Sequence, residues 1–258
     1  MDNSPSDLQL IENSAHGQFV LARDFKDGEI VPPHKHSRAQ LLHTLTGVML
    51  VDTPMRAWAV PPGRGLWIPP GVRHNFTMRG HVAVRTLYVK ATDTGTLPNE
   101  PVIVAITPLV RELIVRALEL VDSTVERNRY SMIVSLLMSE LHSAQRHDLS
   151  IPWPRSPSLK KFADRLRTKP NERRGMTEIA NEHGLSLKTL TRRFLNETGL
   201  TPDAWRRHAR MLAAVAELQS GKSVTQVAQH LGFESTSSFT AAFRRTYGMT
   251  PRKAARNH

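Results

Sequence analysis

The chain has 258 residues and no cysteine, and it carries 35 Lys and Arg against 23 Asp and Glu. Its length allows two domains with separate cores. The lack of cysteine excludes disulfides and thiolate metal sites, and no apolar run approaches the length that crosses a bilayer. Residues 1–150 are net neutral, so the whole excess of twelve positive charges lies in residues 151–258. Only the second half is therefore expected to meet a polyanion.

The first residues are polar, and they lack the apolar segment of a secretion signal. From this and from the absence of cysteine we expect a cytoplasmic protein with no membrane partner. Between Phe19 and Lys90, short apolar alternations are separated by turn signals such as Asp27-Gly28 and Pro69-Pro70-Gly71. Many short strands at even spacing predict a small antiparallel barrel or sandwich over residues 1–106.

Two segments of this region place histidines at fixed distances from glycine and proline. The first contains Gly28, His34, His36, Gln40 and Gly47, and the second contains Gly63, Pro69, Gly71 and His74. Their spacing resembles the two sequence motifs of cupin barrels. In cupins, two histidines and a glutamate of the first motif and one histidine of the second hold a metal ion. Here Gln40 stands at the position of that glutamate.

The resemblance leaves two readings of this cluster open. His34 and His36 alternate along a strand and so face one side of it, and neutral imidazoles suit zinc, iron or nickel. In one reading a divalent metal is held by His34, His36, Gln40 and His74. In the other, the same four residues line a metal-free pocket for an organic effector, together with Trp58 and Trp67. The neighbouring Arg38 either pairs with an anionic ligand or is exposed to solvent.

Two helices are predicted to follow the β-rich region, over residues 107–146. Thr107 and Pro108 form a cap followed by proline at the first helical position. The second helix is predicted from about Val125 to Arg146. Both helices have broad apolar faces, which predicts a homodimer interface; covering the end of the barrel is the alternative. Residues 147–158 contain three prolines and no periodicity, which is typical of a linker.

The basic region contains one pattern twice. Ala180, Gly184, Phe194, Gly199 and Pro202 in the first copy correspond to Ala228, Gly232, Phe243, Gly248 and Pro251 in the second. Each copy predicts a short helix, a turn at glycine and a second helix, with Ser186 or Ser235 capping the second helix. This is the spacing of a helix-turn-helix, whose second helix enters the DNA major groove. A helical bundle with repeated packing is the alternative.

Residues 159–258 resemble the DNA-binding domain of the AraC/XylS family of bacterial transcription regulators. The resemblance is carried above all by Leu231-Gly232-Phe233, Phe243-Arg244-Arg245 and Thr250-Pro251. It implies two helix-turn-helix units joined by one long helix. A helix from Thr201 to Ser220, roughly 30 Å long, presents two recognition helices to successive major grooves about 34 Å apart.

The candidate DNA contacts fall into two groups. The predicted base-reading residues are Lys188, Thr191 and Arg192 in the first unit and Thr236, Ser237 and Thr240 in the second. The predicted phosphate contacts are Arg206, Arg207, Arg210, Arg244, Arg245, Arg252 and Lys253. Among the predicted base-reading residues, Arg192 is the one whose side chain can make two hydrogen bonds to the edge of a single guanine. We therefore expect the first unit to supply most of the sequence discrimination.

The sequence therefore predicts an α+β multidomain chain: a cupin-like barrel with flanking helices, then an all-α domain with two helix-turn-helix units. The expected function is a homodimeric, sequence-specific DNA-binding transcription regulator, activator or repressor, which senses a small effector and has RNA polymerase as a further partner. It is not expected to be an enzyme. Two alternatives stay open: a cupin metalloenzyme or metal sensor fused to a DNA-binding domain, and an architectural DNA binder whose barrel only dimerises.

Overall fold

A computed structural model of the chain describes residues 9, 11–14, 16–121, 123, 125–147, 150–172, 174–248 and 250–255. The chain forms two compact units. The first unit comprises Met1–Thr53 and Val60–Asp148, and the second comprises Pro54–Ala59 and Leu149–Asn257. Among the described helices, none has both the length and the apolar character that crossing a bilayer requires.

Antiparallel strands build most of the first unit. In chain order the strands are β1 (Gln18–Phe25), β2 (Ile30–His34), β3 (Ala39–Asp52), β4 (Arg56–Val60), β5 (Arg64–Ile68), β6 (His74–Val89), β7 (Val102–Ala105), β8 (Arg146–His147) and β9 (Ser150–Pro152). The sheet of the first unit runs in the order β1-β6-β3-β5-β7-β8. Strand β2 pairs with the beginning of β6, which brings His34 opposite His74.

The long strands β3 and β6 pair along most of their length, and glycine lets them bend. The register shifts on both sides of Thr46, just before Gly47. Gly47 has a φ of +66°, and a Cβ atom at this position would lie 2.6 Å from the carbonyl oxygen of His81. Only glycine fits there, so this bulge turns the sheet around its interior.

Two helices follow the strands in the region where they were predicted, and their buried faces pack against the sheet. They are α1 (Pro108–Leu120) and α2 (Arg127–Ser143). The Thr107 hydroxyl caps α1 by accepting from the Val110 N–H at 3.2 Å. The buried faces of both helices share one cluster with Leu41 and Trp67 of the sheet. Helix α2 ends earlier than predicted, because Arg146 and His147 form β8 and pair with β7.

The second unit is mainly helical. Its helices are α3 (Pro157–Thr168), α4 (Met176–Glu182), α5 (Leu187–Thr198), α6 (Pro202–Gln219), α7 (Val224–His230), α8 (Thr236–Tyr247) and α9 (Pro251–Ala255). Phe162, Phe194 and Trp205 form its aromatic core, with successive ring centroids 5.8 and 6.0 Å apart. A β-sheet unit followed by an all-α unit with two helix-turn-helices confirms the predicted fold class.

Part of the segment predicted as a linker has regular structure. Ser150–Pro152 forms β9, which pairs antiparallel with β4 so that Trp58 lies opposite Ser150. The Arg56 guanidinium donates to the Ser150 hydroxyl at 2.6 Å. The partner strand lies more than ninety residues earlier in the chain. Because the pairing is between distant segments, no local pattern in this proline-rich segment predicts it.

Candidate nucleic-acid interface and effector site

The first helix-turn-helix consists of α4 and α5. Gly184 has a φ of +67°, which lets the chain reverse between the two helices. The Ser186 hydroxyl then caps α5 by accepting from the Thr189 N–H at 3.2 Å, as predicted. Leu190 and Phe194 are fully buried and fix one side of α5 against the core. The opposite side of α5 is therefore the side available to DNA.

This outer side of α5 carries the predicted base-reading residues. Lys188 and Arg192 are exposed and Thr191 is half-buried. Within the described part of the chain, neither cation makes a hydrogen bond or an ion pair. Leu187, at the first helical position, is 38% exposed beside them. Leu187 was not among the predicted base-reading residues, and its apolar side chain suits contact with a thymine methyl group.

The second helix-turn-helix, α7 and α8, repeats this arrangement with different surface chemistry. Gly232 has a φ of +73°, and a reciprocal pair of bonds between Ser235 and Ser238 caps α8. Phe239 and Phe243 are buried. The first two turns of α8 carry hydroxyl and methyl groups rather than charges on the outer face, from Thr236, Ser237, Thr240 and Ala241, and the exposed Arg244 and Arg245 follow only in the last turn. None of the four residues in the first two turns can bind one base edge at two points.

Helix α6 joins the two units. It has 18 residues and is capped by the Thr201 hydroxyl, which accepts from the Ala204 N–H at 3.2 Å. At 1.5 Å per residue its length is about 27 Å. A rigid rod of this length suits two recognition helices that enter successive major grooves.

Five of the seven predicted phosphate contacts are exposed, and two are engaged within the unit. The exposed residues are Arg207, Arg244, Arg245, Arg252 and Lys253. Arg206 instead donates to the Arg174 carbonyl at 3.1 Å and pairs with Asp203 at 3.1 Å. Arg210 donates to two backbone carbonyls and is half-buried. Two nitrogens of each of these guanidinium groups already have partners within the unit, which argues against the phosphate contacts predicted for Arg206 and Arg210.

In the first unit the structure brings the three motif histidines together. The ring centroids of His34 and His74 lie 4.4 Å apart, and those of His36 and His74 lie 5.2 Å apart. One nitrogen of each ring lies within 4.8 Å of its counterparts in the other two. The pairing of β2 with β6 produces this cluster, so the two sequence motifs meet through sheet register.

Backbone carbonyls fix the tautomer of all three rings. The Nδ1 atoms of His34, His36 and His74 lie 2.9, 2.7 and 2.8 Å from the carbonyl oxygens of Pro32, Arg38 and Val72. A carbonyl oxygen only accepts, so each Nδ1 carries the proton and each Nε2 presents a lone pair. The buried Nε2 of His74 has no hydrogen-bond partner among the described residues. Metal-binding histidines commonly have their second nitrogen held in this way.

Burial keeps the three imidazoles neutral. It lowers the pKa of His34 and His36, and it lowers the pKa of His74 to about 3. Neutral imidazole is the form that binds metal ions. The donor set and its protonation therefore fit a divalent transition metal, with zinc, iron and nickel as the natural candidates.

Gln40 lies beside the histidines, and its amide also meets Tyr88, which the sequence analysis did not single out. Its Oε1 is 3.2 Å from the Nε2 of His36, and its Nε2 is 2.9 Å from the Tyr88 hydroxyl. His34, Gln40 and Tyr88 line a cavity together with the polar Arg23 and Thr86, and the other walls are apolar. The cavity volume is about 30 Å³, which is room for an ion or one or two water molecules.

The segment that precedes β1 contributes one wall of the cavity. Ile11 is 2% exposed, lines the cavity, and packs against Phe19 and Tyr88. Arg38 holds this segment, because its guanidinium donates to the carbonyls of Ser14, His16 and Gly17 at 2.5, 2.8 and 3.1 Å. Both readings of Arg38 were wrong: this side chain is neither exposed nor placed to receive a ligand.

The two predicted pocket tryptophans do not line this cavity. Trp67 is buried between the sheet and the helices of the first unit, where its indole N–H donates to the Pro98 carbonyl at 2.9 Å. Trp58 is buried on β4 in the second unit, opposite Ser150. Of the six predicted pocket residues, the structure brings His34, His36, Gln40 and His74 together.

Comparison with known proteins agrees with this division of the chain. Residues 16–117 match the family model of the AraC-like ligand binding domain, and residues 179–257 match that of a helix-turn-helix domain. The regulator NimR of Escherichia coli K12 is 29% identical over 223 residues, covering 85% of this chain and 80% of NimR. RipA of Corynebacterium glutamicum is 38% identical over 104 residues, covering 39% of this chain and 31% of RipA.

A solved structure of fatty-acid-bound ToxT from Vibrio cholerae covers 95% of this chain and 96% of its own, with 13% identity and a TM-score of 0.38. NimR and RipA are both named as transcriptional regulators, which confirms the prediction of a regulator rather than an enzyme. With an AraC-like ligand-binding domain in front of a helix-turn-helix domain, the chain belongs to the AraC family of DNA-binding transcription regulators.

Proposed function

We propose that this regulator binds a small effector between His34, His36, Gln40 and His74, and that the effector changes the affinity of the second unit for operator DNA. The observation that carries the proposal is the common orientation of the three imidazoles, whose Nδ1 atoms are held by carbonyls so that their Nε2 atoms face one another, with Gln40 beside that of His36. Effector and DNA are then linked by one coupling free energy, so each changes the affinity for the other by the same factor.

A divalent transition metal is the first candidate for the effector. Three neutral imidazole nitrogens within 4.8 Å of one another supply the ligands. Of these three histidines, His34 also lines the adjoining cavity of about 30 Å³. Gln40 offers a carbonyl oxygen beside them. When bound, the metal would supply a positive charge that ties β2 to β6 through His34 and His74.

A small organic molecule is the second candidate, favoured by the largely apolar walls of the same cavity. Binding of such a molecule requires the walls to move, because drug-sized ligands occupy about 300 Å³ or more. Ile11 is the wall proposed to move, since it lies ahead of β1 and belongs to no strand of the sheet.

Elemental analysis of the full-length protein, purified without a metal-affinity tag, separates the two candidates. The comparison uses His34→Ala/His36→Ala and, as a matched control, His81→Ala, which changes an exposed histidine outside the cluster. A metal effector predicts about one ion per chain in the wild type and the control, and its loss in the double variant. A wild type with no metal above background overturns the metal assignment.

Operator binding then tests the regulatory proposal itself. The affinity of the full chain for its operator is measured with and without the candidate metal, and then against a panel of small organic molecules. The proposal expects one of these to change the affinity of the wild type at least about fivefold, and not that of His34→Ala/His36→Ala. If no effector changes operator affinity, the barrel serves assembly alone, as in an architectural DNA binder.

We further propose that α5 supplies most of the sequence discrimination. Arg192 is exposed and has no partner among the residues that the structure describes, so its guanidinium can bind a guanine edge at two points, whereas the predicted base-reading positions of α8 offer hydroxyl groups. The exposed Arg244, Arg245, Arg252 and Lys253 then hold α8 and α9 to the phosphate backbone.

We also propose that the protein is a homodimer through α2. Met132 and Leu136 lie four residues apart on this helix and are 73% and 46% exposed, although the same helix buries its other face fully. Two large apolar side chains on one exposed helical face suit a second copy of the same surface around a twofold axis.

A further inference from the structure

Arg210 lies at the centre of the second unit, where three elements meet. It projects from α6 toward the loop between α3 and α4, named here the α3–α4 loop. Its Nε donates to the Pro170 carbonyl at 2.7 Å, and its Nη2 donates to the Glu172 carbonyl at 3.0 Å. Both carbonyls belong to the segment that leads into the first helix-turn-helix.

The same guanidinium also meets the second helix-turn-helix. Its central carbon lies 6.0 Å from the centre of the Phe233 ring, close enough for a cation–π contact. Phe233 follows Gly232 in the turn between α7 and α8, and its ring lies 5.3 Å from that of Phe239, in the core of α8. A Cβ atom on Gly232 would lie 3.5 Å from the Asn171 carbonyl oxygen, so the loop and the turn are in contact.

The α3–α4 loop is held at a second point by Arg206. The Arg206 guanidinium donates to the Arg174 carbonyl at 3.1 Å, one helical turn before Arg210 on α6. Arg174 itself pairs with Glu172 at 2.6 Å and with Glu182 of α4. The loop is therefore tied to α6 by two arginines and to α4 by an ion-pair network.

We propose that Arg210 is a positioning residue that fixes the distance and orientation between the two recognition helices. Its planar guanidinium contacts both the α3–α4 loop, which leads into the first helix-turn-helix, and Phe233 in the turn of the second. A lysine cannot reproduce this pair of contacts. This inference rests on the proposed reading of two successive grooves. It replaces the phosphate contact that sequence analysis assigned to Arg210.

A fixed distance between the two recognition helices has a measurable consequence for the spacing of the two subsites in the operator. Two linked binding modules gain about 10²–10⁴-fold in affinity when both sites are reached together, and they lose this gain when the geometry forbids it. Two recognition helices at a fixed distance bind tightly only when the two DNA subsites have the matching spacing. Two loosely connected recognition helices bind subsites at the matching spacing less tightly, but they tolerate a different spacing.

The experiment measures binding of the full chain to an operator and to a copy with two base pairs inserted between its two subsites, at several salt concentrations. We expect the insertion to weaken the wild type about 100-fold or more, and Arg210→Met and Arg210→Lys by less than about tenfold. The salt dependence of both variants should match the wild type. The matched control Arg207→Ala, on the exposed side of the same helix, should keep the full spacing penalty and lower the salt slope by about 1.

The proposal is overturned if Arg210→Lys keeps the wild-type spacing penalty, or if Arg210→Met lowers the salt slope as Arg207→Ala does. Circular dichroism establishes that each variant is folded. If Arg210→Met does not fold, Phe233→Leu, which removes the ring under the guanidinium, decides by the same spacing comparison. A wild type without any spacing penalty contradicts the two-groove reading instead, so the two failures are distinguishable.

Discussion

The Nε2 atom of His36 and the Oε1 atom of Gln40 lie 3.2 Å apart in the interior of the first unit. Because the His36 Nδ1 donates to the Arg38 carbonyl, the Nε2 atom is an acceptor, and so is Oε1. Two acceptors at this distance require a donor or a cation between them. Either the amide of Gln40 is turned the other way, so that its N–H₂ faces His36 and its oxygen accepts from Tyr88, or a metal ion binds both atoms.

Substitution of Gln40 by glutamate distinguishes these two arrangements. A carboxylate beside three imidazoles adds a negative charge to the ligand set, so Gln40→Glu should bind zinc or nickel roughly tenfold or more tightly than the wild type. Competition with a chelator of known affinity measures the change. Gln40→Leu is the matched control and should bind no more tightly than the wild type. Equal affinities of Gln40→Glu and Gln40→Leu would show that this position does not touch a metal.

The division of labour between the two recognition helices can be tested with two arginine variants. Arg192→Ala should relax the preference at one operator position, at a cost of about 1–3 kcal/mol for the preferred base. Arg245→Ala should weaken binding to all operator variants about equally and reduce the salt slope. Affinities across a set of single-base operator variants, at two salt concentrations, supply the measurement. If the two variants respond alike, α5 does not dominate the discrimination.

Local signals predicted much of this structure. The predicted caps at Thr107, Ser186 and Ser235 are short-range hydrogen bonds between a hydroxyl and an N–H three residues on, so sequence spacing suffices to find them. The repeated anchors of the two helix-turn-helix units depend on helical periodicity in the same way. The histidine cluster was also predicted, because resemblance to cupin motifs supplied the sheet register that brings His74 to His34.

What the sequence did not predict depends on contacts between distant segments. Arg210 is surrounded by basic residues in sequence, yet its guanidinium meets carbonyls some forty residues earlier in the chain. Arg38 was expected at the surface or in the pocket, but it is 3% exposed and holds the segment before β1. A long polar side chain whose partners are backbone carbonyls leaves no trace in residue patterns, since every residue type carries a carbonyl.

The proposed dimer through α2 predicts a change of oligomeric state. Met132→Glu and Leu136→Glu together should shift the protein toward the monomer, because two carboxylates would have to be buried in the interface at considerable cost. Sedimentation velocity at micromolar concentration measures this shift. Ile30→Glu, at a side chain that is 60% exposed on β2 of the same unit, is the matched control and should leave the oligomeric state unchanged. A double variant that sediments like the wild type would place the interface elsewhere or exclude it.

The stability of the first unit should fall in mild acid because of His43. This side chain is 1% exposed, its Nδ1 donates to the Arg64 carbonyl at 3.1 Å, and its buried Nε2 has no partner among the described residues. Burial lowers its pKa to about 4, whereas an unfolded chain restores a value of about 6.5. Below pH 6.5 the unfolded state therefore binds a proton that the folded state does not.

The free energy of unfolding is then constant above about pH 7.5 and decreases as the pH falls from about 6.5 to 4, by on the order of 3 kcal/mol from this residue. His43→Leu removes one titrating group and should make this decrease smaller by that amount, while the buried His34, His36 and His74, whose pKa values are also lowered, continue to contribute to it. Calorimetry of the full chain between pH 8 and pH 4 measures the effect through the unfolding transition of the first unit. The wild type at pH 8, where the imidazole is neutral in both states, is the internal control. An unchanged pH dependence in His43→Leu would show that other groups control the acid sensitivity of this unit.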